Sequence, residues 1–198
     1  MKKQLLLIFA LIFIVASSLE AQDVKKNIED GFVEMQSAII KKDFEKSVGF
    51  IADEIFTIVP KDQMASLLEM TFNNPQMEIV LRLPENIKVS EPQKEGDKYY
   101  AVLSFPNIQK LRMLDTNGLP LGLDNEMVKG MNANFIAAAG EDNVSFDDET
   151  RFFTVTVNQK AVAISENGKD GWKYLNYDKA QAAALAPLLP KVIVEKLQ

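Results

Sequence analysis

Near residue 75 the apolar residues change their spacing, and that change limits the fold more than any other feature of this sequence. Before it the period is helical. Val24, Ile28, Phe32, Met35 and Ile39 follow one another in steps of four, four, three and four, which places them on one helix stripe. Gly31 and Ala38 lie beside that stripe. Asp43 is placed to cap a second, shorter helix carrying Phe44, Val48 and Ile51. Glu54–Val59 is a short apolar run. Pro60 opens a third helix with Met64, Leu67, Leu68 and Phe72 inward, and Asn73-Asn74-Pro75 ends it.

After Pro75 the period is two. Met77, Ile79, Leu81 and Leu83 alternate with Glu78 and Arg82, as a half-buried strand requires. Ile87–Ser90 extends this β region, Lys94-Glu95-Gly96-Asp97 is a turn, and Lys98–Phe105 is a strong strand. Ile108–Leu114 fits either strand or helix. Residues 117–122 form an apolar loop. Asp124–Ala139 reads as a helix with Met127, Met131, Phe135 and Ala138 on one face, stopped by Gly140. Alternation returns at Arg151–Val157. Asn158-Gln159 reads as a tight reversal, Ala161–Ser165 as its partner strand, and Trp172–Tyr177 as the third strand of a meander. Asp178 caps a final helix that Pro187 and Pro190 bend or split. The pattern gives an α+β fold: amino-terminal helices packed on a curved antiparallel sheet, with an extra middle helix and carboxy-terminal helices. No repeat or linker divides residues 22–198, which are expected to form a single α+β domain.

The first 21 residues read differently. Lys2 and Lys3 precede an unbroken apolar run, Leu5–Ala16, followed by small and polar residues up to Ala21. That order is the order of a secretory signal peptide. The run is shorter than the roughly 20 apolar residues of a spanning helix. The expectation is cleavage after Ser18 or Ala21, export to a periplasmic or extracellular space, and no stable membrane span afterwards. The alternative is an anchor formed by the uncleaved segment.

Composition removes whole classes of chemistry. The 198 residues contain no Cys and no His. Thiol nucleophiles, lipid attachment through Cys, thiolate metal sites, Ser-His-Asp catalysis and His-ligated metals are therefore all excluded. Acid–base work would fall to Asp, Glu, Tyr or Lys. The net charge is −6 and no basic cluster occurs, so nucleic acid is a poor partner.

The helix pair around Lys41-Lys42-Asp43-Phe44-Glu45-Lys46, and the closing segment Asn167-Gly168-Lys169-Asp170-Gly171-Trp172-Lys173-Tyr174-Leu175, carry a resemblance. The order of elements and these two segments resemble the NTF2-like (cystatin-like, ketosteroid-isomerase-like) α+β cone, over about half of residues 22–198. The resemblance implies a cavity between helices and sheet. It also implies either non-catalytic binding or, as an alternative, isomerase-type chemistry with a carboxylate base and a Tyr donor.

Tyr99, Tyr100, Phe153, Trp172 and Tyr174 are the residues expected to line such a pocket for a small apolar ligand; the competing reading is that they fill the core. Asp53, Glu54, Tyr99 and Tyr100 supply the residue types for the enzymatic alternative, but their spacing fixes no geometry. No residue is singled out as catalytic, and no metal or cofactor is implied. The acidic segment Glu141-Asp142-Asn143…Asp147-Asp148-Glu149 has enough oxygens for calcium but lacks an EF-hand spacing, so a solvated loop is expected. The apolar residues between Ala180 and Leu197 are expected to pack on the domain, with a homodimer contact as the alternative. An envelope protein is the other partner class considered.

Overall fold

The computed structural model describes residues 22–197; the amino-terminal segment read as a signal peptide lies outside the described residues. Helix α1 occupies residues 22–40. A reversal with Lys42 at positive φ leads to α2 (Phe44–Val48), and the Asp43 carboxylate caps it by accepting from the Lys46 N–H. A 3₁₀ turn (Asp53–Thr57) follows, and then α3 (Lys61–Phe72).

Seven antiparallel strands make one sheet that does not close. They are β1 (Met77–Leu81), β2 (Lys88–Val89), β3 (Gln93–Glu95), β4 (Lys98–Met113), β5 (Val144–Phe146), β6 (Phe153–Ser165) and β7 (Lys173–Tyr177). The long strands β4 and β6 pair along almost their whole length, from Tyr99 opposite Ser165 to Leu111 opposite Phe153. Strands β1, β2 and β3 add to the far edge of β4 in turn. Strands β5 and β7 add to the two ends of the outer edge of β6. Helix α4 (Asn125–Ala139) follows β4; Asp124 caps it and Gly140, at positive φ, ends it. The chain finishes with a 3₁₀ turn (Lys179–Gln181) capped by Asp178, α5 (Ala182–Leu185), a second such turn (Ala186–Leu188), and α6 (Lys191–Leu197) after Pro190.

Of the two alternatives for Ile108–Leu114, strand holds down to Met113, because the segment continues β4. One expectation is corrected. Asn158-Gln159 is not a reversal: β6 runs straight through it, so the expected three-stranded meander is replaced by β4, β6 and β7. Neither residue has a positive φ, and β4 is long enough to pair with every residue of that stretch.

Helices cover both sheet faces. On the first face, Ala101, Leu103, Phe105, Ala161, Ala163 and Tyr174 meet Ile28, Phe32 and Met35 of α1. The three alanines keep the sheet surface low, so the Phe32 ring reaches Phe105 (centroids 4.8 Å) and Tyr174 (5.4 Å). Gly31 belongs to this contact: a Cβ there would collide with the Tyr174 hydroxyl, which donates to the Ile28 carbonyl at 2.8 Å. On the second face, Tyr100, Val162, Ile164 and Leu175 are buried with Leu185, Leu189, Ile193 and Leu197 of the carboxy-terminal segment. Packing within the chain buries these last four side chains, while Leu188, Val192 and Val194 stay partly exposed. Among the described residues, no helix is long and apolar enough to cross a membrane.

Candidate functional site

The five aromatic residues expected to share a pocket are placed in different surroundings. Tyr174 and Trp172 lie in the core of the first face. Tyr100 is buried on the second face. Phe153 sits at the far end of the sheet, against Phe146 (4.5 Å) and Phe135 of α4 (5.3 Å). Tyr99 lies over the turn between β6 and β7, at Gly168. Tyr174 borders a hollow of about 220 Å³ that also touches Met35, Ile51, Met64 and Leu185.

A cleft opens where the first face runs beyond α1. Along β4 that face reads Tyr99, Ala101, Leu103 and Phe105, then Asn107 and Gln109, then Leu111. Along β6 it reads Phe153, Val155 and Val157, then Gln159, then Ala161 and Ala163. The register sets Gln159 opposite Phe105 and Asn176 of β7 opposite Ala161. A polar patch therefore interrupts an apolar sheet face. No core forms over it, and α3 bridges the space, leaving a cleft of about 250 Å³.

The floor and inner side of the cleft are carboxamides. Asn107, Gln109, Gln159 and Gln36 of α1 are half-buried, and Asn176 is exposed at the mouth. The Asn107 Nδ2 donates to the Gln159 Oε1 at 2.6 Å, which holds these two in place. The walls are apolar: Ile39 from α1, Leu68 and Phe72 from α3, and Ile79 and Leu81 from β1, with Phe105 between wall and floor. Arg82, exposed, is the sole ionisable residue in this lining.

Helix α3 buries none of its residues fully, and Met70 is 71% exposed. It is tied down at its carboxy-terminal end, by the stacking of Phe72 on Phe44 (6.1 Å) and by a hydrogen bond from the Lys42 ammonium to the Asn73 side chain (2.7 Å). Leu68 and Ile39 separate the cleft from the 220 Å³ hollow, and both spaces lie under α3.

The lining of the cleft carries no carboxylate and no phenol. The groups considered for isomerase chemistry lie elsewhere. Glu54 is ion-paired to Lys98 at 2.9 Å, and Lys98 also reaches Glu166 at 3.0 Å. Hydrogen bonds to Glu54 and then Glu166 hold the Lys98 ammonium above its ordinary pKa. Tyr100 lies on the second face, and burial, with Glu54 nearby, raises its pKa. Asp53 is exposed and Tyr99 lies over its turn. In the cleft, an apolar ligand that displaced water without replacing its hydrogen bonds would leave each carboxamide unpaired at about 1–3 kcal/mol.

The acidic segment is bound up in its own loop. The Asp147 carboxylate accepts from the N–H groups of Thr150 (2.9 Å) and Glu149 (3.0 Å), and the bond from Thr150 leads in lowering its pKa. Asp148 pairs with Arg151 at 3.1 Å. No group of three or more acidic side chains suited to a metal ion occurs among the described residues.

The residues that build the cleft lie at 36, 107, 109, 159 and 176, and no local motif joins them. One signal was present in the sequence: Asn107, Gln109 and Gln159 occupy positions where alternation calls for apolar side chains. No protein-family model matches the chain, and no curated protein sequence matches it.

Proposed function

We propose that this chain is an exported, non-catalytic binding domain whose small-molecule ligand sits in the cleft beneath α3. The observation that carries the reading is the interrupted first face: walls of Ile79, Leu81, Phe72 and Phe105 around a floor of uncharged carboxamides. Ligand sites combine mostly apolar walls with a few convergent polar groups, and this cleft has that make-up. Its volume, below the usual ~300–1,000 Å³ of drug-sized sites, suits a small molecule. The resemblance to NTF2-like domains supports the same reading, because it too expects a cavity between helices and sheet. The basic and apolar order of residues 1–21 supports export.

The test is a methyl-resolved NMR titration with a library of small neutral, anionic and apolar compounds. Ligands should shift the methyl signals of Ile39, Leu68, Ile79 and Leu81 while leaving Ile28 and Leu103 in place. A library that moves none of the four cleft signals counts against the reading. Export is tested separately by the mass of the protein recovered from its source, which should lack residues 1–18 or 1–21.

A further inference from the structure

We infer that the cleft takes an uncharged, hydroxyl-rich ligand of the saccharide class; this rests on the binding reading above. Three features of the lining select that chemistry. The first is the kind of polar group. Each carboxamide sets an N–H donor beside a C=O acceptor, and Asn107, Gln109, Gln159 and Gln36 come from three elements toward one space. Neighbouring hydroxyls, each donor and acceptor at once, can engage such a pair in either sense.

The second is charge. No acidic side chain and no Lys lines the cleft, and its one charged residue, Arg82, is exposed. A cation would enter without a counter-charge. An anion would find a single counter-charge, the exposed Arg82. The third is the apolar wall. Phe105 and Phe72 give ring surfaces, and Ile79 and Leu81 give aliphatic ones, against which the C–H face of a sugar ring can lose water while its hydroxyls turn to the floor.

Gln109 and Gln159 border a second, wider space of about 550 Å³, reached along the outer edge of β6 between β5 and β7. Asn158, Lys160, Asp178 and Lys179 line that space, with Ala138 and Ala139 of α4, so it is more charged than the cleft.

The experiment is NMR titration of the full chain with three probe types: N-acetylglucosamine, maltose, and sodium dodecanoate as the apolar contrast. The saccharides are expected to shift the side-chain amide signals of Asn107, Gln109 and Gln159. Gln159→Leu is expected to weaken that binding about tenfold, as loss of one or two good hydrogen bonds does, while its backbone spectrum stays folded. Gln109→Leu, nearer the strand end, gives the same reading should Gln159→Leu fail to fold. Dodecanoate shifting Leu68 and Ile79 while both saccharides leave the cleft unmoved would overturn the saccharide class and leave the cleft reading standing. Saccharide binding that neither leucine variant weakens would overturn the role of the carboxamides. No shift in the cleft with any probe would remove the cleft reading itself.

Discussion

The first face of the sheet has two halves that share strands and differ in everything above them. Under α1, Phe32, Ile28, Leu103, Ala161 and Ala163 are sealed from solvent, and Tyr174 closes the layer with a hydrogen bond to the helix backbone. Under α3, the same strands β4 and β6 present Asn107, Gln109 and Gln159, and the covering helix buries no residue. Small sheet residues draw α1 down to contact. The half-buried carboxamides give α3 no apolar surface to seal against. The difference teaches that a few polar side chains at in-facing strand positions turn the end of a core into a cleft.

The largest effect should separate the halves directly. Phe32→Ala is expected to cost about 3–5 kcal/mol, as for buried aromatics generally. Phe72→Ala, which removes a half-buried ring from α3, should cost less than about 2 kcal/mol. Urea denaturation of both variants measures the gap, and equal losses would break the comparison.

Next comes glycine. Gly31→Ala pushes a methyl group into the Tyr174 hydroxyl and should cost about 1–3 kcal/mol. Gly130→Ala in α4, where an added Cβ meets nothing within 4 Å, should instead stabilise by up to about 1 kcal/mol. Thermal melts of the two variants should shift in opposite directions.

Tyr174→Phe should cost about 1 kcal/mol at neutral pH, from the loss of its bond to the Ile28 carbonyl. It also carries a pH signature. Burial raises the phenol pKa above its ordinary value near 10. The unfolded chain therefore releases this proton first. The stabilisation is complete below about pH 10 and falls as pH rises above it. Unfolding free energies between pH 9 and 11.5 should decline less steeply in Tyr174→Phe than in the parent. An unchanged slope would mean that this phenol is not sealed. Lys98, raised by its two glutamates, contributes in the same alkaline range and remains in both proteins.

The smallest effect should come from the cleft floor. Asn107→Leu, which removes one partner of the bond to Gln159, should change stability by less than about 1 kcal/mol, because water can reach the group left behind. A loss comparable with that of Phe32→Ala would show that the floor belongs to the core.

Much of the fold was legible because periodicity reports it. The stripe from Val24 to Ile39, the Asp43 and Asp178 caps, and the stops at Pro75 and Gly140 all lie where local chemistry puts them. The length of β4 and the straight course of β6 were not legible. Asn158-Gln159 has the polarity of a turn, and only pairing with β4 makes it strand. The site was hidden for a related reason. Large aromatics draw attention as pocket residues, but Tyr174, Trp172 and Tyr100 are what the two core layers are made of. The carboxamides of the cleft are common surface residues until the strand register gathers them.

Native-state hydrogen exchange tests the difference between the halves most directly. Amides of α3, such as those of Leu67, Leu68 and Met70, should exchange through local opening, at free energies well below global unfolding. Amides of α1 at Phe32 and Met35 should exchange only with global unfolding. Equal protection of the two helices would contradict the account, because α3 would then be as firmly part of the core as α1.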